Sequence, residues 1–116
     1  MQPLYDSRGS VHGWVDLDTG RIINRHGQHI AFIRGDSIYD WHGHHVAWWH
    51  DDHVRDRNGR VALFLRGASG LGPAIPALGA VPARPAIHAV PAMPALSAKP
   101  ARPARSASWA ASIPFA

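Results

Sequence analysis

Ile38-Tyr39-Asp40-Trp41-His42-Gly43 is one of four versions of a six-residue text that fills the first half of this chain. The others are Leu4-Tyr5-Asp6-Ser7-Arg8-Gly9, Ile22-Ile23-Asn24-Arg25-His26-Gly27 and Val54-Arg55-Asp56-Arg57-Asn58-Gly59. Five residues after each glycine stands an aromatic, Trp14, Phe32, Trp48 or Phe64, followed at once by Val15, Ile33, Trp49 or Leu65. The glycines lie 18, 16 and 16 residues apart. A fixed period of this kind signals a repeat architecture, in which one unit cannot bury its apolar surface alone.

Each copy carries Asp6, Asn24, Asp40 or Asp56 three residues ahead of Gly9, Gly27, Gly43 or Gly59. That spacing is hairpin chemistry. The Asx side chain accepts backbone N–H groups further round the turn, and glycine takes the left-handed position without steric cost. A type I turn closed by a glycine bulge is the expected form. Short apolar segments precede the turns and longer ones, such as His29-Ile30-Ala31-Phe32-Ile33, follow them. The reading is all-β: eight strands in a meander, with no helix.

Alternation puts His12/Trp14, Ile30/Phe32, Val46/Trp48 and Ala62/Phe64 on one face of the longer strands, with Trp14, Phe32, Trp48 and Phe64 as core aromatics. The opposite face carries Gly13/Val15, Ala31/Ile33, Ala47/Trp49 and Leu63/Leu65. Both faces are apolar, unlike those of a half-solvated sheet. Four hairpins around a pseudo-fourfold axis would bury one set centrally and leave the other in need of a cover.

These Tyr-Asp-x-x-Gly and Ile/Val-Ala-Trp/Phe texts resemble those of the 4-fold beta flower proteins, a family of small bacterial proteins, over residues 4–66. The resemblance implies four hairpins about an axis and brings no established activity. Arg55, where copies one and three have tyrosine, and Leu63, where the others have glycine or alanine, depart from strict equivalence.

The domain plan is a repeat domain over residues 1–67, a Gly-rich linker over 68–72 and a Pro/Ala-rich tail over 73–116. From Pro73 the chain is written in threes, with alanine at every third position from Ala74 to Ala110. Every third early triplet lacks proline, at Gly79, His88 and Ser97. Recurrent proline blocks helix and sheet ladders and favours an extended polyproline II chain, about 110 Å long over this stretch. With three residues per turn, Ile75, Leu78, Ile87, Met93 and Leu96 form part of one apolar edge, which turns basic at Lys99, Arg102 and Arg105. This edge is expected to lie on the uncovered apolar face of the hairpins, in its own chain or in a partner's. Trp109 and Phe115 near the carboxy terminus read as an anchor or recognition end.

Composition narrows the function. Residues 1–66 hold eight arginines and eight aspartates, with no lysine or glutamate, so the formal charge of +4 lies entirely in the tail. That distribution offers no basic groove on the fold, and nucleic-acid binding is not expected. The absence of cysteine excludes disulfides and thiolate metal sites. No apolar run is long enough for a membrane helix, and no basic-then-apolar leader opens the chain, so a cytoplasmic location is the default expectation. No nucleotide-binding or nucleophile motif occurs, and no enzyme activity is expected. Histidines crowd the third copy, and His42, His44, His50 and His53 are the candidate ligands for a divalent metal. The functional expectation is a non-enzymatic interaction or assembly module, forming a homo-oligomer or covered by its own tail, with the tail also open to a protein partner. A histidine-rich metal-binding protein and an adaptor offering a polyproline ligand are the alternatives.

Overall fold

A computed structural model describes residues 1–115. Its strands are β1 (Gln2–Tyr5), β2 (Val11–Asp16), β3 (Arg21–Asn24), β4 (His29–Arg34), β5 (Ser37–Tyr39), β6 (His45–His50), β7 (His53–Arg55) and β8 (Val61–Phe64). Each is antiparallel to the next, and β8 pairs back to β1 at Tyr5–Phe64, closing a barrel without an open edge. Closure matters because the first and last strands of the meander would otherwise expose unpaired N–H and C=O groups.

The four turns are near copies. The side-chain oxygen of Asp6 accepts the N–H groups of Arg8 and Ser10, and Asn24, Asp40 and Asp56 do the same two and four residues on. Each turn glycine donates its N–H to the carbonyl of its Asx residue at 3.0–3.2 Å. A register shift follows every turn: Leu4 faces Gly13 but Tyr5 faces Val11, and the other three hairpins repeat it.

That bulge corrects the two-residue alternation expected for the longer strands. His12, Ile30, Val46 and Ala62 are the extra residues, and inserting one residue breaks face parity with the aromatic two positions later. Ile30, Val46 and Ala62 pack with the barrel interior. Trp14, Phe32, Trp48 and Phe64 are buried on the outside of the barrel. They are core in the sense of burial, but they do not meet at the axis.

The axis belongs to the other set. At the waist the cross-strand pairs are Leu4/Gly13, Ile22/Ala31, Ile38/Ala47 and Val54/Leu63. Each joins a larger and a smaller side chain, so that one layer from eight strands fits the narrow interior. In the fourth pair the order is inverted: Leu63 is the larger partner of Val54. The fourth hairpin thus keeps the register and bulge of the others despite its altered residues.

Candidate functional site

The outer aromatics are covered by the chain's own carboxy-terminal segment, which runs round the barrel as a collar. Residues 71–107 form no helix or strand, yet they are fastened at a strict interval. The N–H groups of Gly79, His88, Ser97 and Ser106 donate to the carbonyls of Gly9, Gly27, Gly43 and Gly59 at 2.8–3.0 Å. Nine collar residues therefore serve each hairpin. Proline has no N–H to donate, which explains why one triplet in three lacks it. An extended chain rising about 3.1 Å per residue covers about 28 Å in nine residues. Four such arcs match the perimeter, about 116 Å, of a disc whose extents are 37 × 37 × 23 Å.

The turn glycines meet a second demand here. All four have φ between 77° and 87°. A Cβ on Gly9, Gly27, Gly43 or Gly59 would also overlap the carbonyl oxygen of Ala77, Ala86, Ala95 or Ala104. One residue type satisfies both the turn and the approach of the collar.

Orientation of the collar reverses one expectation. Prolines such as Pro76, Pro85, Pro94 and Pro103 are half-buried against the barrel. Ile75, Val81, Ile87, Val90, Met93 and Leu96 are 39–52% exposed, and Leu78 is half-buried beside Tyr5, Val11 and Trp14. The apolar edge therefore does not cover the barrel; the collar's backbone and proline rings do.

Four of the collar's third-position side chains, Met93, Lys99, Arg102 and Arg105, reach toward the loops that link one hairpin to the next. Lys99 Nζ lies 2.6 Å from Asp36, Arg102 also pairs with Asp36, and Arg105 lies 3.2 Å from Asp51. Arg34, at the start of the second link, donates to Met93 Sδ at 3.6 Å. Lys99 and Arg102 also lie over the Trp48 ring, at 5.5 and 5.6 Å. The hydrogen bond from Lys99, with the charges of Lys99 and Arg102, holds the Asp36 carboxyl below its ordinary range against a smaller opposing effect of burial.

The ends of the collar meet at Arg55, only 2% exposed. Its guanidinium donates to the carbonyls of Gly59 at 2.7 Å, of Ser106 at 2.8 Å, and of Leu71. Leu71 leads into the collar and Ser106 ends its last arc, so this side chain clasps the belt. Burial, then the charge of Arg105, pushes Arg55 below its ordinary value. In the sequence Arg55 stood out only as a missing tyrosine; the donor geometry of its fork, matched here to three carbonyls, gives the departure a cause.

The final residues divide between two tasks. Trp109 pairs with Val61, and Val61 N–H donates to Ser108 while Ala110 N–H donates to Val61. Its indole packs on Phe64 at 5.8 Å. Ile113 and the buried Phe115 then join the interior cluster beside Ile30, Val46 and Ala62, capping the turn end of the barrel. Both aromatics anchor the chain to itself.

The proposed metal ligands are not brought together. His42 and His44 sit on the third turn, where His44 lies 3.5 Å from Asp40. His50 and His53 pair across the third link, at the other end of the barrel, with His50 3.2 Å from Asp51 and within hydrogen-bond distance of Arg105. His53 is buried, which lowers its pKa, and so does neighbouring Arg55. Among the described residues no group of three or more histidines or carboxylates is arranged to hold a metal ion. No helix is long and apolar enough to cross a membrane.

The geometry defines a class: a closed all-β barrel of four pseudo-equivalent hairpins, belted by its own carboxy-terminal segment. The chain belongs to the 4-fold beta flower protein family, whose sequence pattern matches residues 2–115, collar included. No curated protein and no solved structure matches the chain.

Proposed function

We propose that this protein is a non-enzymatic assembly module that pairs with a second copy through the face bearing its inter-hairpin links. The observation that carries the reading is an asymmetry between the two ends of the disc. The turn end is closed by Ile113 and Phe115. At the link end, Leu17 is exposed and Trp49 and Ile33 are half-buried, and the exposed collar side chain Met93 meets Arg34 at the start of the second link. Apolar surface gathered on one side is uncommon on a protein that works alone.

A second copy is the occupant best suited to it. The barrel is formally neutral and the basic collar residues Lys99, Arg102 and Arg105 already pair with Asp36 and Asp51. The face therefore presents little unbalanced charge to oppose a like partner, and an isologous pair needs only self-complementarity. Analytical ultracentrifugation of the full chain should give a dimer. The double substitution Leu17→Glu and Met93→Glu, both at exposed sites, should give a monomer with an unchanged far-UV spectrum. A full chain that stays monomeric at high micromolar concentration would remove the basis of this reading.

A further inference from the structure

Around the barrel, the groove between an outer aromatic and the collar is filled differently at different hairpins. Beside Phe32, the indole of Trp41 occupies it, with ring centroids 4.7 Å apart, and also meets His29 at 6.0 Å. Beside Phe64, Trp109 takes that place. Beside Trp48, among the described residues, no ring does. A cavity of about 400 Å³ lies there, within the size range of small-molecule sites, lined by His44, His45, Trp48, Arg57, Ser97 and the collar at Pro100. The cause is legible in the repeat: Arg57 follows the turn aspartate of copy four, where copy three has Trp41.

His45 supplies the second observation. It is only 6% exposed, and neither ring nitrogen has a hydrogen-bond partner among the described residues. The equivalent His29 of the second hairpin is partnered at one nitrogen, its Nε2 lying 2.9 Å from the His88 carbonyl, while its Nδ1 has no partner among the described residues. Buried polar atoms are almost always satisfied, because one left without a partner has lost its water for nothing in return. The His45 imidazole borders the cavity, so a group bound there would lie against a lining side chain that the fold leaves unpaired.

The remaining chemistry fixes the kind of group. Arg57 is exposed and has no carboxylate partner among the described residues, and its Nη2 lies 3.5 Å from the His45 carbonyl, which keeps the guanidinium beside the cavity. Ser97 Oγ accepts the backbone N–H of His45 at 3.1 Å, leaving its own hydroxyl proton to donate. Trp48 and His45, with ring centroids 4.5 Å apart, offer an aromatic wall. We propose that this cavity binds a small aromatic carboxylate. Its ring takes the place that Trp41 and Trp109 fill beside Phe32 and Phe64, and its carboxylate meets Arg57 and the Ser97 hydroxyl. The site is separate from the link face and does not depend on dimerisation.

The test is a titration of the full chain with sodium benzoate at constant ionic strength, followed by the His45 imidazole and Trp48 indole signals in heteronuclear NMR. Acetate, which has the charge without the ring, and benzyl alcohol, which has the ring without the charge, are the controls. Benzoate should saturate and bind about tenfold more tightly than either, the value of one charge-assisted contact. Arg57→Gln should weaken it about tenfold. Arg57→Trp, which installs the residue of copy three, should fill the groove and abolish binding. The proposal is overturned if benzoate shifts do not saturate, if the controls bind equally well, or if Arg57→Trp leaves benzoate binding intact. Arg57→Gln changes one exposed side chain and decides the matter should the tryptophan variant fail to fold.

Discussion

The barrel and the collar obey the same fourfold plan by different means. In the barrel each unit takes 16 to 18 residues and is held by antiparallel ladders, a bulge and an aliphatic layer. In the collar each unit takes nine residues and is held by one backbone hydrogen bond and one close approach of a carbonyl to a glycine. The barrel supplies closure and the collar supplies cover. The difference teaches that an extended segment need not form a sheet to be part of a fold; it needs fastenings at the interval its rise dictates.

The sharpest way to break the comparison is at a turn glycine, where the two regions meet. Gly43→Ala would force a left-handed backbone on an L-residue and drive its Cβ into the Ala95 carbonyl, whereas Gly35, also at positive φ, has open space around it. The first should cost about 3 kcal/mol or more and the second about 1 kcal/mol, since only the first adds a collision to the backbone penalty. Urea denaturation of both variants measures this, and equal losses would show that the collar does not press on the turns.

Arg55→Met comes next. It retains bulk but leaves the carbonyls of Leu71 and Ser106 without their donor, at an expected cost of about 2 kcal/mol. Hydrogen exchange should quicken at residues 70–73 and 106–109 while the waist of the barrel stays protected. Uniform acceleration would mean that the clasp and the barrel are one cooperative unit.

The smallest effect isolates a single fastening. His88→Pro removes the N–H that bonds to Gly27 and should lower stability by about 1–2 kcal/mol. His88→Ala keeps that bond, although it loses the side chain, and should stay within about 0.5 kcal/mol of the parent, because His88 is exposed. Matching thermal melts for the two would refute the account given for the missing prolines.

Much of the architecture was open to reading in the chain itself. The Asx-x-x-Gly texts fix the turns because their chemistry is local: a side-chain oxygen and a glycine within a few residues of each other are enough. The triplet pattern of the tail marks an extended segment, and its proline-free positions are visible although their purpose is not. Face assignment failed at the bulges, since inserting one residue after each turn sends Ile30 inward and Phe32 outward, and no single-strand periodicity reports it. The outward turn of Ile75, Ile87, Met93 and Leu96 was hidden too, because which edge of an extended chain faces the barrel depends on where its N–H groups find acceptors.

By itself, then, the amino-acid order determined four hairpins, a cover-seeking outer surface and a belt-length tail. Only the tertiary structure decided that the tail covers its own barrel, that Arg55 clasps its ends, that the histidines fall at opposite ends, and that the groove beside Trp48 is left without a filling indole. The division follows from range. Turn and rise are properties of neighbouring residues, whereas seating, clasping and vacancy depend on atoms from segments that come together only when the ring closes.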